Sequence, residues 1–294
     1  MSDAATGSIY DLGYQRYEGV RLGRRHAIWA LYVHSLRGVF GIGRSLGSKV
    51  GPIGLAVIAF LPAIIQLGSA SIAPEEVEII RPEEYYNFIE VVLVVFCAVV
   101  APDLVGRDQR TKTLSLYFSR ALRRDDYALA KFAALVTGML AITVVPQVTM
   151  FIGNGLAADD FGDRLQDKWT DLPSILGSAI ELSSLDSGIA LLIAAQTPRR
   201  AYSTVGILAA FLLTSAVAAG VFEATDPDAG RFVLLLSPLH LVQGLTRWFF
   251  DAPLESGSQL VQADMPTVMY ALAAAVIVCV TLALLLRRYG KIPA

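Results

Sequence analysis

The sequence predicts an all-α membrane protein with six transmembrane helices, and three observations carry that reading. Hydrophobic residues fill 54% of the 294 positions and charged residues only 17%, against roughly 45 to 50% and about 25% in soluble domains. Mean hydropathy is +0.54. The chain also holds six apolar windows long enough to cross hydrocarbon, which takes about 20 helical residues, and the segments between them are alternately basic and acidic.

The windows lie at 51–72, 86–105, 128–153, 174–196, 203–222 and 267–286. Segments 1–50, 107–131, 197–202 and 287–294 hold nineteen of the 24 Lys and Arg. Because connecting segments rich in Lys and Arg stay in the cytoplasm, both termini are expected inside. The acidic stretches "APEEVEIIRPEE" and "AADDFGDRLQDKWTD" then fall outside. No internal repeat or low-complexity tract is evident, so residues 1–294 read as one transmembrane domain.

Ahead of the first window, Ile28, Leu31, Tyr32, Ser35, Leu36 and Val39 recur at helical spacing while Arg24, Arg25, Arg37, Arg44 and Lys49 supply charge. That pattern predicts a helix lying in the inner interface within a tail spanning 1–50. The first 50 residues lack the continuous apolar core of a cleavable leader, so the amino terminus is expected to be retained.

Between windows five and six, in an outer segment at 223–266, lies "RFVLLLSPLHLVQGLTRWFF". A seventh span there would send "LLLRRYGK" outside and put Pro238, His240, Gln243 and Arg247 in lipid. A re-entrant or interfacial helix pair is the expectation, since irregular backbone at membrane depth is tolerated where protein buries it. Trp248, Phe249 and Phe250 suit the headgroup level.

Catalytic chemistry is sparse. His26, His34 and His240 form no His-Glu-x-x-His pair, and the first two are eight positions apart, the wrong spacing for ligands on adjacent turns. Glu75-Glu76 and Glu83-Glu84 read as solvated loop charges. Cys97 and Cys279 sit alone in apolar runs as packing residues. "GIGRSLGSK" misses the phosphate-loop spacing because Ser48 intervenes before Lys49 and no strand precedes it. The chain is therefore not expected to be an enzyme or to hydrolyse ATP by itself.

Three carboxylates fall inside the windows: Glu90 in the second, Glu181 and Asp186 in the fourth. An acid at the centre of a span costs about 2.5 to 3.5 kcal/mol on insertion scales, so such residues face protein or a water-filled path. The stretch "SAIELSSLDSG" is too polar to face lipid all round. Glu90 and Glu181 lie within a turn or two of the outer boundary, where interfacial water is in reach, and Asp186 is nearer the midplane. Glu181 and Asp186 are about 140° apart round a helix and need not share a face. All three are candidates for a transport path or a subunit interface.

The most informative segment is "DLVGRDQRTKTLSLYFSRALRRDDYALAKF", with seven basic residues on the cytoplasmic side. Thr113 is placed as an N-cap, and Leu114, Tyr117, Phe118 and Leu122 group at helical spacing, which predicts a short amphipathic helix rimmed by arginines. Such a helix suits the membrane surface or a groove on a cytoplasmic protein.

This segment resembles the inner loop of permease subunits of bacterial type-2 ABC exporters. In that family a charged pair ends the second span, a Thr-Leu step follows, then a Ser-Arg-Pro-like turn, an aromatic or apolar residue and a Lys opening the third span. The similar positions here are Asp108, Thr113, Leu114, Ser119, Arg120, Tyr127 and Lys131. Lys112 stands where Gly is common, and Ala121 where Pro is. The leader "IYDLGYQRYEGVRLGRR" is similar to leaders of bacterial permeases, and an elbow helix, six spans and an apolar outer segment fit the same pattern.

The resemblance implies a homodimer, in preference to a heterodimer, in the bacterial cytoplasmic membrane. Two separate ATP-binding subunits would hold the ATP and Mg²⁺. A coupling loop at 107–127 would transmit their movement through Asp108, Thr113, Leu114, Tyr117, Phe118, Ser119, Arg120 and Arg123, with no cofactor in this chain and no nucleic-acid partner. The alternative is an ion-coupled secondary transporter working through the intramembrane carboxylates. Nothing in the residues forms a code for substrate.

Overall fold

In a computed structural model, residues 19, 22–72, 79–119, 122–157, 162–163, 166, 168–226 and 230–291 are described. Glu75, Glu76, Arg120 and Ala121 lie outside them. The described residues contain helices and no strand. In order they are α1 (Gly23–Val39), α2 (Leu46–Ile72), α3 (Tyr85–Ala101), a π-turn (Pro102–Gly106), α4 (Arg107–Arg110), α5 (Leu114–Phe118), α6 (Arg124–Ala157), α7 (Asp171–Ala194), α8 (Arg200–Ala224), a 3₁₀ turn (Arg231–Leu236), α9 (Pro238–Phe249), α10 (Gln259–Ala263) and α11 (Thr267–Gly290).

Six helices are long and apolar enough to cross a membrane: Leu46–Ala70, Tyr85–Arg110, Arg124–Ala157, Asp171–Ala194, Arg200–Ala224 and Thr267–Gly290. They coincide with the six apolar windows and extend past each of them at one end at least, because a helix continues through its polar end turns after hydropathy has fallen. The 34 residues of α6 span roughly 50 Å against a hydrocarbon core of about 30 Å. Its charged first turns therefore reach beyond the apolar slab.

The second span does not stop at Pro102. Proline lacks an N–H and displaces the carbonyl four residues back, and the chain answers with the five-residue π-turn. The acceptor freed by Pro102 is the carbonyl of Ala98, which receives a hydrogen bond from Thr204 Oγ1 of α8 at 2.9 Å. A backbone defect has become a tie between two spans.

Helices α3 and α7 form the centre, with their apolar windows 67% and 61% buried, against 28% for α2, α8 and α11. That explains the polarity of α7: it packs against α3, α6, α8, α9 and α11, so its serines and acids meet protein. The outer helices expose apolar side chains such as Ile58, Ile64, Leu213, Val217 and Val276, as a lipid-facing or subunit-facing surface does.

Helix α1 docks along α6 with Leu31, Ser35 and Val39 buried. Gly138 permits the close approach, since a Cβ there would lie 2.6 Å from Val39 Cγ1. Arg24 donates to both oxygens of Asp126 at 2.7 and 2.6 Å, and Tyr32 donates to Thr137 Oγ1 at 3.0 Å.

The candidate seventh span splits at Ser237-Pro238. Ser237 caps α9, its side chain accepting from the His240 amide, and proline is well placed at the first helical position. The twelve residues of α9 reach only about 18 Å, short of a crossing. The helix packs on α11 and α7, and Gly244 lets Tyr270 lie where a Cβ would meet its ring at 2.3 Å.

Candidate functional site

The basic end of the bundle gathers the segments that the Lys and Arg pattern groups together. Asp103 stands between Arg44 at 3.9 Å and Arg200 at 3.6 Å, joining the starts of α2 and α8 to the end of the second span. Gln109 donates to the carbonyl of Ala195 at 3.2 Å, adding α7.

At the centre of this end is Asp108. Its Oδ2 accepts from Lys131 Nζ at 2.9 Å and from the Tyr127 hydroxyl at 2.8 Å. Lys131 is 3% exposed and Tyr127 is fully buried, so the ammonium is compensated inside the protein, where an unpaired charge is very costly. The Lys131 ammonium also lies 5.3 Å from the Tyr127 ring centroid, within cation–π range. Three positions carrying the family resemblance, Asp108, Tyr127 and Lys131, are thus brought into direct contact.

The short helix α5 rests on this cluster. The rings of Tyr117 and Phe118 lie 5.7 and 6.0 Å from that of Tyr127, and the ring of Tyr289 of α11 lies 5.0 Å from it. Leu114 and Leu122 are both buried. The apolar group read as one docking face is therefore turned inward, and Leu116, 65% exposed, is what α5 presents outward. Ser119 and Arg123 are exposed beside it. Thr113 precedes α5 but does not cap it: at φ −78 and ψ −8 its backbone is already helical, whereas capping needs an extended residue. Its hydroxyl donates to the Asp108 carbonyl at 3.3 Å, which folds α5 back onto α4.

Arg123 plays a structural part as well, its amide donating to Asp126 Oδ2 at 2.9 Å. An acid in the third helical position reaching back to the cap amide is half of a capping box. Asp126 thus starts α6 and also holds α1 through Arg24.

Inside the bundle, Asp186 is 2% exposed and Glu90 is 7% exposed, and the two are near enough to interact electrostatically. Glu181 is only partly buried. Buried oxygens of Glu90, Glu181, Asp186, Ser183 and Ser187 have no hydrogen-bond partner. Glu90 was expected to reach interfacial water; the packing of α3 at the bundle centre covers it instead. The polar face of α7 and Glu90 of α3 thus put unsatisfied buried groups inside the bundle, two acids from different spans among them.

At the acidic end, His240 bridges α9 and α10. Its Nδ1 lies 2.6 Å from Ser237 Oγ and its Nε2 lies 3.0 Å from Gln259 Oε1. Gln259 donates onward to Glu223 Oε1 at 2.8 Å, and Ser237 to Ser215 Oγ at 2.7 Å. Burial pushes the imidazole below its ordinary value, with the Gln259 hydrogen bond acting the other way.

Sequence reasoning did not single out Tyr289, Gln109, Asp126 or the His240 chain. Tyr289 closes the last span next to Arg287 and Arg288, where an aromatic reads as an interfacial anchor. Only the fold puts it against Tyr127. No family model matches the chain, and no curated protein does.

Proposed function

We propose that the chain is the transmembrane subunit of an ATP-binding cassette exporter, pairing with a second copy and driven by two separate ATP-binding subunits in a bacterial cytoplasmic membrane. The observation that carries this reading is the seating of α5. A five-residue helix with an outward Leu116 rests on Tyr127, and Tyr127 in turn touches Asp108, Lys131 and Tyr289. A push on α5 is thereby delivered to the ends of the second, third and sixth spans at once. A surface helix that only bound lipid would need no such buried foundation.

In this reading α1 is the elbow helix, α5 the coupling helix, and the 3₁₀ turn with α9 the re-entrant outer segment. The ATP-binding subunits hold ATP and Mg²⁺, and this chain's residues carry movement. Arg123 borders the docking surface for those subunits, and the buried acids of α3 and α7 line the transport path or the face between copies.

The test is purification of the tagged chain from its native membrane with assay of ATP hydrolysis. The expected result is a co-purifying subunit that hydrolyses ATP, with capture or turnover lost in Leu116→Asp. A chain that purifies alone and carries out transport in ATP-free vesicles would overturn the reading.

A second reading, an ion-coupled secondary transporter, is favoured by the juxtaposition of Glu90 and Asp186. It requires transport driven by a proton gradient in vesicles lacking any ATPase and lost in Asp186→Asn. An unaltered rate in that variant removes it.

A further inference from the structure

A cavity of about 810 Å³ opens at the basic end between α1, the start of α2 and the end of the second span. Arg37, Arg44, Arg107 and Lys131 line it, against two carboxylates, Asp103 and Asp108. Both acids are already engaged, Asp108 by Lys131 and Asp103 by Arg44 and Arg200. Arg37 and Arg107 form no ion pair among the described residues. The cavity therefore has cationic groups to spare.

Its wall is built by "GIGRSLGSK", which lacks the spacing of a nucleotide loop yet folds as a cradle. Gly41 and Gly43 take left-handed backbone, φ +67 and +83, and a Cβ on Gly41 would lie 2.5 Å from the Ser48 carbonyl oxygen. The turn is thus folded tightly onto the first turn of α2, placing Arg44, Ser45 and Ser48 at the amino terminus of a 27-residue helix. Helix amino termini favour anions, because their first amides lack partners within the helix and the dipole is positive there.

An independent observation comes from α1. Ser35 is 1% exposed, its hydroxyl has no hydrogen-bond partner, and it lines this same cavity. A buried polar group without a partner is uncommon in native proteins and calls for an explanation, which a ligand in the cavity beside Ser35 supplies. Ser45 and Ser48 also line it, their hydroxyls 3.3 Å apart so that one donates to the other and the second keeps its proton, and with Ser35 they set serine hydroxyls inside a cationic rim.

We propose that this cavity binds a phosphate group. The guanidinium forks of Arg37 and Arg107 and the serine hydroxyls match the oxygens of a phosphate, which accepts from many directions at once. The cavity lies where the first two spans leave their apolar stretches, so two sources share this chemistry: the headgroup of an anionic phospholipid, or free phosphate. The site is complete in this chain alone and does not rest on the transporter reading.

The test uses the purified full-length chain. In neutral detergent, inorganic phosphate raises the thermal midpoint in a saturable way, and Arg107→Gln weakens the apparent affinity about tenfold or more, as loss of a charge-assisted hydrogen bond does. Arg110→Gln, a basic residue outside the cavity, leaves it unchanged. Ser35→Ala raises the midpoint without phosphate and shrinks the phosphate-induced shift. In nanodiscs containing phosphatidylglycerol and phosphatidylcholine, native mass spectrometry separates the sources. Phosphatidylglycerol retained by the wild type and lost in Arg107→Gln identifies the headgroup, and a phosphate effect with no retained lipid identifies free phosphate. Absence of both effects, or equal losses in Arg110→Gln and Arg107→Gln, overturns the proposal.

Discussion

Lys131 Nζ and Asp108 Oδ2 are 2.9 Å apart, with the lysine side chain 4% and the aspartate side chain 15% exposed. The pair ties the end of the second span to the start of the third. Breaking a buried pair by removing one partner typically costs about 3 to 5 kcal/mol, whereas replacing both with apolar residues is often neutral. Asp108→Leu or Lys131→Met alone is expected to lower the thermal midpoint sharply, and the double variant to recover most of the loss. A double variant as unstable as the sum of the singles would show that the two side chains act independently.

Tyr127 separates packing from hydrogen bonding. Tyr127→Phe removes only the hydroxyl that donates to Asp108 and is expected to cost about 1 kcal/mol. Tyr127→Ala removes the ring under Tyr117, Phe118 and Tyr289 and is expected to cost about 3 to 5 kcal/mol. Limited proteolysis near Ser119 should accelerate in the alanine variant and not in the phenylalanine one.

How much of this was legible in the residues depends on the range over which each signal is summed. Hydropathy accumulates over about 20 positions, so the six spans are readable without any knowledge of packing. The helical spacing in α1 and α5 is likewise local. Thr113 misled because its residue type favours capping, while its backbone conformation is set by the Asp108 carbonyl it donates to. Glu90 misled because depth was counted along one helix, and its burial comes from neighbours packed round α3. Asp108, Tyr127 and Lys131 are up to 23 positions apart, and only a resemblance to other chains linked them in advance.

Gly138 and Val39 set the distance between α1 and α6. Because a Cβ on Gly138 would fall 2.6 Å from Val39 Cγ1, Gly138→Ala must push the helices apart, and overpacking of this kind costs about 1 to 3 kcal/mol. Val39→Ala should partly restore stability in the Gly138→Ala background although it destabilises the wild type. Thermal unfolding of the four proteins measures this coupling, and simple additivity would refute the contact.

His240 gives the junction of α9 and α10 a pH dependence of defined sign. Burial holds its folded value below the ordinary 6.5, so between the two values the unfolded chain binds more protons than the folded one. Stability is therefore full above about 6.5, falls as pH drops through that value, and levels off once the folded imidazole also protonates. Comparing thermal midpoints at pH 7.5 and 5.5, His240→Gln should flatten the decline, and an unchanged slope would place the titration elsewhere.

Glu90 and Asp186 are both enclosed by protein, have unpartnered oxygens, and take part in no ion pair among the described residues. A pair retained only for packing would tolerate amides, which keep the shape and discard the charge. Glu90→Gln and Asp186→Asn are therefore expected to match or exceed the wild-type thermal midpoint, and the double variant to do the same. Transport in reconstituted vesicles gives the functional comparison. Stable amide variants that lose substrate movement would assign the acids to the path itself. Variants that unfold would instead assign these carboxylates to holding α3 against α7.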